Sequence, residues 1–548
     1  MKLASLVAQR LLRLPEPVTR DVAATKDIPI TMPDGAVLLA DHWTPRVRPE
    51  RLPTLLIRTP YGRSGWGGLL ARIYAERGFQ VVICSVRGTF GSAGEFRAMR
   101  HERGDGLATI EWVTAQPWFD GNLALTGASY LGYTQWAVAA DAPPQVKAMV
   151  PHVTSSRLAL AFLAPGTFEL DTSLRWSVQT ATQERRPKRL RDIATLLFGI
   201  GEDRLVRSMN TLPMGDADRR VLGFRWPFYQ DCVHHDSEDR FWKDWDHSDS
   251  VGAVTVPTSL VAGWEDIFLS DQLADYTALR EAGRRPRLVI GPWQHAAPAG
   301  LAAAARETLE WAGAHCRGEE PPRRAPVRLF VVGAGQWREF ETWPPEGYEP
   351  RSWHLRSGGG LSLAPPTASE PSRYRYDPSD PTPSVGGPLL TPRGAGRKDN
   401  RALEARKDVL TFTTGPLDAD LEIIGEVAAR IWLRSSRPDT DVFVRLCDVD
   451  ARGRSINVCD GLANVRPDGV TGVTVQLSPI AYRFRRGHRL RVQVSSGAHP
   501  RFARNTGSGE HHAIAVTPHP ADQEVFHDPE HPSVITLPVR AVNGAAAG

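Results

Sequence analysis

The stretch LALTGASYLGYTQWAVAA, residues 123–140, passes from an apolar run through a glycine–serine turn into a helical pattern. The apolar run LALTG predicts a buried strand, and the residues that follow Ser129 predict a helix. A serine at such a junction can be the nucleophile of an elbow written Gly-x-Ser-x-Gly. Here Leu131 stands where the second glycine is expected, and Gly132 comes one position later. Ser129 is therefore either a nucleophile on a modified elbow or a helix N-cap, which is the commoner role of a serine.

The pattern around this stretch is an alternation of strands and helices. Apolar runs precede it in GAVLLADHWTP, LPTLLIRTPYG and FQVVICSVRGT, with a helical segment in GLATIEWVTAQ. The run VKAMVPHVTSS follows it, and VPTSLVAGWED and RPRLVIGPWQH bring two further buried strands. Continuous apolar strands separated by helices predict a mostly parallel sheet that is covered on both faces.

Two other parts of the chain have a different texture. Residues 151–254 contain no clear strand and are rich in aromatic residues, so they predict a helical insertion that acts as a lid. After about residue 350, short β-rich runs such as DVFVRLCDVD and HRLRVQVSSG alternate with glycine- and proline-rich turns. That texture is typical of an antiparallel sandwich or jelly roll.

Length and charge limit the class of protein. A chain of 548 residues is too long for one core and predicts about two to four domains. Its net charge of +4 is small for this length and favours neither nucleic acid nor a membrane surface as a partner. The basic run at residues 185–191 lacks interleaved aromatic residues and is interpreted as a solvated helix face.

The cysteines and the first residues suggest a cytoplasmic protein. The five cysteines form no CxxC pair, so we expect neither a disulfide framework nor a zinc site. The group Cys232, His234, His235 and Asp236 is likewise not expected to bind a metal. The start, MKLASLVAQRLLRLPEP, predicts a short amphipathic helix rather than a signal peptide, and no apolar stretch reaches the roughly 18 residues of a membrane span.

Two later loops could complete a catalytic triad with Ser129. Asp266 follows the strand in LVAGWEDIF, and His295 follows the strand in LVIGPWQHA. The chain order Ser, Asp, His, with each residue just beyond a strand, is that of a nucleophile-elbow hydrolase. A serine hydroxyl needs an imidazole to take its proton and a carboxylate to orient that imidazole. Each residue alone is more often structural, and their joint occurrence favours the triad.

The residues 127–132, GASYLG, resemble the elbow Gly-x-Ser-Tyr-x-Gly of the cocaine esterase-like hydrolases. These are related to X-Pro dipeptidyl-peptidases, α-amino-acid ester hydrolases and glutaryl acylases. The motifs RTPYGR, VRGTFGSAGEF, GWEDIF, GPWQH and SSGAHPRFARNTG are also similar to that family, and such matches run from about residue 27 to 538. The displaced glycine is thus interpreted as the family's own variant.

The resemblance implies an α/β fold with three domains. These are an α/β-hydrolase catalytic domain at 27–150 and 255–350, a helical cap at 151–254 and a C-terminal all-β jelly roll at 351–548.

The resemblance also implies roles for five residues. Ser129 would be the nucleophile, Asp266 the triad acid and His295 the base. The hydroxyl of Tyr61 and the backbone N–H of Tyr130 would form the oxyanion hole. Many members of the family have aspartate at the position of Ser85, a departure that concerns supporting hydrogen bonds rather than the triad.

The expected function is hydrolysis of a small-molecule ester or amide through an acyl-enzyme, without a metal or organic cofactor. An acyltransferase that uses the same triad is an alternative, and a non-catalytic protein that binds ligands through its jelly roll is a remote one. The aromatic residues between Trp226 and Trp245 favour neutral hydrophobic acyl or aryl esters over α-amino esters and X-Pro peptides. The identity of the acyl group and the formation of a homo-oligomer stay open.

Overall fold

A computed structural model describes residues 2–46, 52–164, 166–184, 202–391 and 394–540. The basic run at 185–191 lies outside these residues. The chain divides into two compact units. The first unit comprises Met1–Ala161, Gln179–Arg186 and Arg240–Arg328, and the second comprises Phe162–Val178, Pro187–Asp239 and Leu329–Gly548.

The first unit is built on a mixed, mostly parallel sheet. Its described strands are β1 (Val22–Thr31), β2 (Val37–Pro45), β3 (Thr54–Thr59), β4 (Gln80–Ser85), β5 (Leu123–Ala128), β6 (Val146–His152), β9 (Ser259–Glu265) and β10 (Arg287–Gln294). They lie in the order β1-β2-β4-β3-β5-β6-β9-β10. The pairs from β4 to β10 are parallel, whereas β2 joins β1 and β4 antiparallel. The predicted parallel sheet is confirmed, and every residue of β3 and β4 is buried, which explains their unbroken apolar runs.

Helices accompany this sheet. The described ones in the first unit are Lys2–Leu12, Trp66–Ala75, Glu102–Thr114, Tyr130–Ala139, Leu269–Glu281, Pro298–Glu307, the π-helix Thr308–Ala312 and Gly313–Arg317, together with the 3-10 helices Arg240–Trp245 and Ser248–Ala253. Tyr74 and Trp311 pack with Leu55, Ile57 and Val81 in one core cluster. The predicted N-terminal helix is present as Lys2–Leu12.

The second unit contains a large, almost wholly antiparallel sheet. Its strands are β13 (Tyr348–Arg356), β14 (Gly360–Ser362), β15 (Ser372–Tyr376), β16 (Leu410–Thr413), β17 (Leu421–Ser435), β18 (Thr440–Val449), β19 (Ser455–Val465), β20 (Thr471–Phe484), β21 (Arg489–Ser495), β22 (Ala521–Phe526) and β23 (Val534–Arg540). They lie in the order β15-β22-β17-β23-β13-β14-β16-β21-β18-β19, and β20 pairs with β17. The C-terminal part of the chain is therefore an all-β domain, as the β-rich runs predicted.

Part of the segment between β6 and β9 belongs to this second unit. It contains the short hairpin of β7 (Leu163–Ala164) and β8 (Thr167–Phe168), the helices Glu202–Met209, Ala217–Leu222 and Pro227–His234, and the 3-10 helix Met214–Asp216. The helix Leu170–Thr182 begins in the second unit and ends in the first. The strand β11 (Val327–Val331) begins in the first unit and ends in the second, and β12 (Gln336–Phe340) follows it in the second unit. The aromatic ring of Phe168 stacks on His512 at 5.5 Å, and the N–H of Ala503 donates to the carbonyl of Phe168. Residues of this segment thus pack against the C-terminal β domain.

The predicted domain limits at residues 151, 255 and 351 do not coincide with the division into compact units, and they stay predictions. Across the described ranges, no helix combines the length and apolar character needed to cross a membrane.

Candidate active site

A local irregularity in the parallel pair β9–β10 brings Asp266 and His295 together. Gly291 lies opposite Gly263, but two steps further the register has shifted, and Gln294 lies opposite Glu265. The extra residue in β10 forms a bulge, which re-aims the side chains that follow it. The next residues of the two strands are His295 and Asp266, so the shifted register places them side by side.

The two side chains are hydrogen bonded. Nδ1 of His295 lies 2.8 Å from Oδ2 of Asp266, and Oδ1 of the same carboxylate accepts the N–H of Phe268 at 2.9 Å. The Asp266 side chain is fully buried and that of His295 is 8% exposed. An ionised carboxylate can only accept hydrogen bonds, so Nδ1 must carry a proton. In the neutral imidazole Nε2 is then the acceptor, which is the form that a general base requires.

Ser129 has the strained backbone of a nucleophile elbow. It follows β5 directly and precedes the helix Tyr130–Ala139, with φ 57° and ψ −125°. Non-glycine residues adopt such angles only where the surroundings enforce them, and they cluster at active sites. The N–H of Ser129 donates to the carbonyl of His152 at 2.9 Å, and its carbonyl accepts the Thr154 hydroxyl at 2.7 Å. Ser129 itself is half-buried, so part of it is accessible to solvent.

The two glycines of the elbow are explained by close packing. A Cβ on Gly127 would lie 2.4 Å from Cβ of Leu131, and a Cβ on Gly132 would lie 2.3 Å from Cγ2 of Thr154. Non-bonded carbon atoms do not approach each other this closely, so both positions require glycine. The residue of this helix that approaches the loop after β6 is residue 132, which is why the second glycine stands one place later than in the usual motif.

The three predicted triad residues lie at one edge of the sheet. Ser129 follows β5, Asp266 follows β9 and His295 follows β10, and these parallel strands are consecutive in the sheet apart from β6 between the first two. The carboxyl ends of parallel strands meet at the same edge, which is where such sheets carry their ligands. The structure joins Asp266 to His295 directly and places Ser129 on the same edge.

The two predicted oxyanion-hole residues follow neighbouring strands. Tyr61 lies two residues beyond β3, is half-buried, and its N–H donates to the Thr59 hydroxyl at 3.0 Å. Tyr130 is the first residue of the helix after Ser129, where backbone N–H groups point away from the helix and lack an intrahelical acceptor. Its side chain is completely buried, and burial together with the Glu102 carboxylate raises the pKa of its phenol well above the ordinary value.

The serine at position 85 belongs to a buried arginine network. Nη1 of Arg63 donates to the Ser85 hydroxyl at 2.5 Å, while Nε bonds Asp41 at 3.0 Å and Nη2 pairs with Asp27. Asp27 and Asp41 thus supply the negative charge that balances Arg63. Nη1 of Arg63 also donates to the Phe90 carbonyl at 3.1 Å, so the Ser85 hydroxyl is one of two neutral acceptors on this nitrogen.

The aromatic and metal candidates of the middle segment have structural contacts. Trp242 and Trp245 are buried and pack edge to face with Phe241, and the Arg100 guanidinium lies 4.1 Å from the Trp245 ring. Cys232 is buried, and the imidazole of His235 bonds Asp239 at 2.7 Å. Within the described ranges no group of three or more His, Cys, Asp or Glu side chains is arranged to hold a metal ion.

Three contributors to the site were not identified from the sequence. Thr154 supports the elbow, Phe268 places its ring 5.4 Å from that of His295, and Glu102 receives the Tyr130 hydroxyl. Only Phe268 carried a signal, since it lies two residues after Asp266 in the GWEDIF motif. The others act through contacts between residues far apart in the chain.

Comparison with known proteins places this chain in a family. Residues 34–297 match the X-Pro dipeptidyl-peptidase (S15) family, and residues 322–536 match the X-Pro dipeptidyl-peptidase C-terminal non-catalytic domain. A cocaine esterase of Rhodococcus sp. (strain MB1 Bresler) is 31% identical over 582 residues, which cover 95% of this chain and 99% of that protein.

Two solved structures share the fold. An aminopeptidase from the marine sediment archaeon Thaumarchaeota archaeon has a TM-score of 0.81 at 22% identity, with 96% of this chain and 97% of that chain covered. An α-amino acid ester hydrolase also has a TM-score of 0.81 at 22% identity, with 96% and 98% covered.

The fold and the comparisons together define a serine hydrolase. The chain belongs to the cocaine esterase-like family of hydrolases, whose catalytic part matches the X-Pro dipeptidyl-peptidases of family S15. The predicted family resemblance is confirmed.

Proposed function

We propose that this protein hydrolyses a small-molecule ester or amide through an acyl-enzyme formed on Ser129. The observation that carries the proposal is the buried hydrogen bond between Asp266 and His295, at the same sheet edge as the strained Ser129. A carboxylate–imidazole pair and a serine on an elbow are the parts that a serine nucleophile requires.

The reaction then proceeds in two halves. Nε2 of His295 takes the Ser129 proton while Oγ attacks the carbonyl carbon, and the imidazolium returns that proton to the leaving alcohol or amine. Water, deprotonated by the same imidazole, attacks the acyl-enzyme and releases the carboxylic acid with Oγ reprotonated. Asp266 stabilises the imidazolium throughout. The Tyr61 hydroxyl and the Tyr130 N–H would bind the oxyanion, where one donor typically contributes about 10²–10³ in rate.

We further propose that residues 151–254 act as a helical cap and that the C-terminal β domain is a jelly roll. The helices between β6 and β9 support the first assignment, and the antiparallel strand pattern supports the second. No cofactor is needed for the proposed chemistry.

The decisive test is the variant Ser129→Ala. We expect it to lose hydrolysis of a p-nitrophenyl ester and labelling by a fluorophosphonate, with unchanged circular dichroism. Thr154→Ser, which keeps the hydroxyl that supports the elbow, serves as the matched control and should retain labelling. Labelling of Ser129→Ala at another serine would show that the nucleophile is misassigned.

For the substrate we propose a preference for neutral aryl or alkyl acyl groups. Phe268 packs a buried apolar ring against His295, so the surroundings of the proposed base are apolar, which supports this preference. The measurement is kcat/KM for a benzoyl ester against a matched phenylglycine ester and an X-Pro anilide. Faster turnover of either amine-bearing substrate would contradict the preference, and a product that carries the acyl group on an added amine would indicate acyl transfer.

A further inference from the structure

The hydroxyl of Tyr130 lies in a buried polar network below the elbow. It donates to Oε1 of Glu102 at 2.7 Å and accepts the N–H of Met99 at 2.8 Å. Oε2 of Glu102 pairs with Nη2 of Arg58 at 2.9 Å, and both of these side chains are at most 4% exposed. Nη1 of Arg58 also donates to the Glu102 carbonyl at 2.7 Å.

This network connects the elbow to β3, the strand that precedes Tyr61. Arg58 is in β3, three residues before Tyr61, while Tyr130 is the residue directly after Ser129. Gly106 leaves the space that the guanidinium needs, since a Cβ there would lie 2.8 Å from Nη1 of Arg58. The buried ion pair and the hydrogen bond from Arg58 to the Glu102 carbonyl hold these two residues in one geometry more firmly than apolar contacts would.

We propose that the Tyr130 hydroxyl is a positioning group for the oxyanion hole, which it keeps in register through Glu102 and Arg58. The proposal rests on the function proposed above. The Tyr130 N–H and the Tyr61 hydroxyl must converge on one oxygen atom, so their separation must be fixed to a fraction of an ångström. A misplacement of about 1 Å can cost about 10²-fold in rate. The Tyr130 hydroxyl is hydrogen bonded to Glu102, and Glu102 is held to Arg58 by an ion pair and by the hydrogen bond to its carbonyl, so the chain Tyr130–Glu102–Arg58 runs from the elbow to the strand that precedes Tyr61.

Tyr133 provides a matched control on the same helix. Its ring is also completely buried, and its hydroxyl donates to the Trp245 carbonyl at 2.8 Å. The Tyr133 hydroxyl also lies 3.2 Å from Nε2 of His247, so each hydroxyl has at least two hydrogen-bonding partners, which the change to phenylalanine removes. Only Tyr130 is bonded to the Glu102–Arg58 pair.

The experiment compares Tyr130→Phe with Tyr133→Phe on a p-nitrophenyl ester. We expect Tyr130→Phe to lower kcat about 10-fold with KM within about twofold, because the donors act in the transition state. Tyr133→Phe should change kcat by less than about twofold, while both variants lose a similar few degrees of Tm. Equal loss of kcat in the two variants would overturn the proposal.

A double-mutant cycle adds a readout that a merely structural role would not move. In Tyr61→Phe the second donor is absent, so the added change Tyr130→Phe should cost much less than it does in the wild type. Fully multiplicative effects would overturn the proposal. If Tyr130→Phe does not fold, Glu102→Asp keeps the charge beside Arg58 but withdraws the acceptor from Tyr130, and it should show the same loss confined to kcat. An unchanged kcat in Glu102→Asp would also overturn the proposal.

Failure of the proposed function has a different signature. A wild-type protein that neither reacts with a fluorophosphonate nor hydrolyses esters would refute the serine chemistry. If the wild type is active and the Tyr130 variants have an unchanged kcat, only the positioning role is refuted.

Discussion

The hydrogen bonds of Asp266 predict a large effect for the conservative variant Asp266→Asn. The carboxylate accepts from two donors, the Phe268 N–H at 2.9 Å and His295 Nδ1 at 2.8 Å. An asparagine has a single acceptor atom, so one of these contacts must be lost. Which of the two contacts is lost determines which nitrogen of the His295 imidazole carries the proton.

If the amide oxygen stays with Phe268, the amide nitrogen faces Nδ1 of His295. Nδ1 must then accept, and the proton moves to Nε2, where it prevents the imidazole from taking the Ser129 proton. If the amide turns over, its nitrogen opposes the Phe268 N–H and leaves a buried donor unsatisfied, which costs about 1–3 kcal/mol. In either case the imidazolium loses a charge-assisted hydrogen bond of about 1.5–3 kcal/mol.

The unsatisfied donor lowers stability, whereas the lost charge-assisted hydrogen bond lowers kcat by about 10–10², and the wrong tautomer extends that loss to about 10⁴. The assay is ester hydrolysis at pH 7 under saturating substrate, with circular dichroism to show that the variant is folded. Asp275→Asn is the control, because Asp275 and Asp266 are both 3% exposed. A folded Asp266→Asn that retains more than a tenth of the wild-type kcat would refute this reasoning.

Three further changes test other parts of the site. Tyr61→Phe should lower kcat about 10²-fold with little change in KM, as expected for an oxyanion donor, and a rise in KM alone would make Tyr61 a binding residue. In Gly263→Ala the new Cβ would lie 2.2 Å from the Trp293 carbonyl, so we expect a loss of about 1–3 kcal/mol in unfolding free energy and of most activity, whereas Gly252→Ala, with no neighbour closer than 3.8 Å, should be nearly neutral. Burial raises the pKa of Asp275 to about 8 from 3.8, so the folded protein keeps a proton that the unfolded chain releases, and Asp275 destabilises the fold increasingly from about pH 4 to 8. The stability gained by Asp275→Asn should therefore grow between pH 5 and pH 8 in urea unfolding, and a gain that shrinks would contradict the raised pKa.

The sheet could be predicted because its strands are buried on both faces. The runs of β3 and β4 are continuously apolar because every residue in them is buried, and this pattern is typical of central strands. The helices between the strands imply parallel pairing. The edge that carries Ser129, Asp266 and His295 follows from the strand order alone.

The pairing of Asp266 with His295 could not be predicted in this way. It depends on one extra residue in β10, and a shift of one residue exchanges the two faces of a strand. Gly291 and Pro292 in GPWQH are a general signal for a bulge, but they do not show that its result is to place His295 beside Asp266. The close approach of Gly263 to the Trp293 carbonyl shows that the bulge needs a glycine on the neighbouring strand, where a side chain would collide with it.

The polar network of Tyr130, Glu102 and Arg58 could not be predicted from the sequence either. Arg58 and Glu102 are 44 residues apart, and charged residues of this kind are usually exposed. Nothing in the local pattern distinguishes this buried pair from a solvated one. The same holds for the residues between β6 and β9 that pack against the C-terminal β domain, since their partners lie more than 300 residues further along the chain.

The displaced glycine shows how far a motif follows from packing rather than chemistry. From the elbow itself, the proposed chemistry requires that Ser129 adopt a positive φ and that the next N–H be available. Which later residue must be glycine depends on what the helix touches, and here Thr154, beyond β6, approaches residue 132. Leu131 is accommodated because Gly127, four residues earlier, has no side chain to oppose it. The spacing of the two glycines therefore depends on where the loop after β6 lies. A hydrolase in which that loop lies elsewhere can keep the serine nucleophile and have a different glycine spacing.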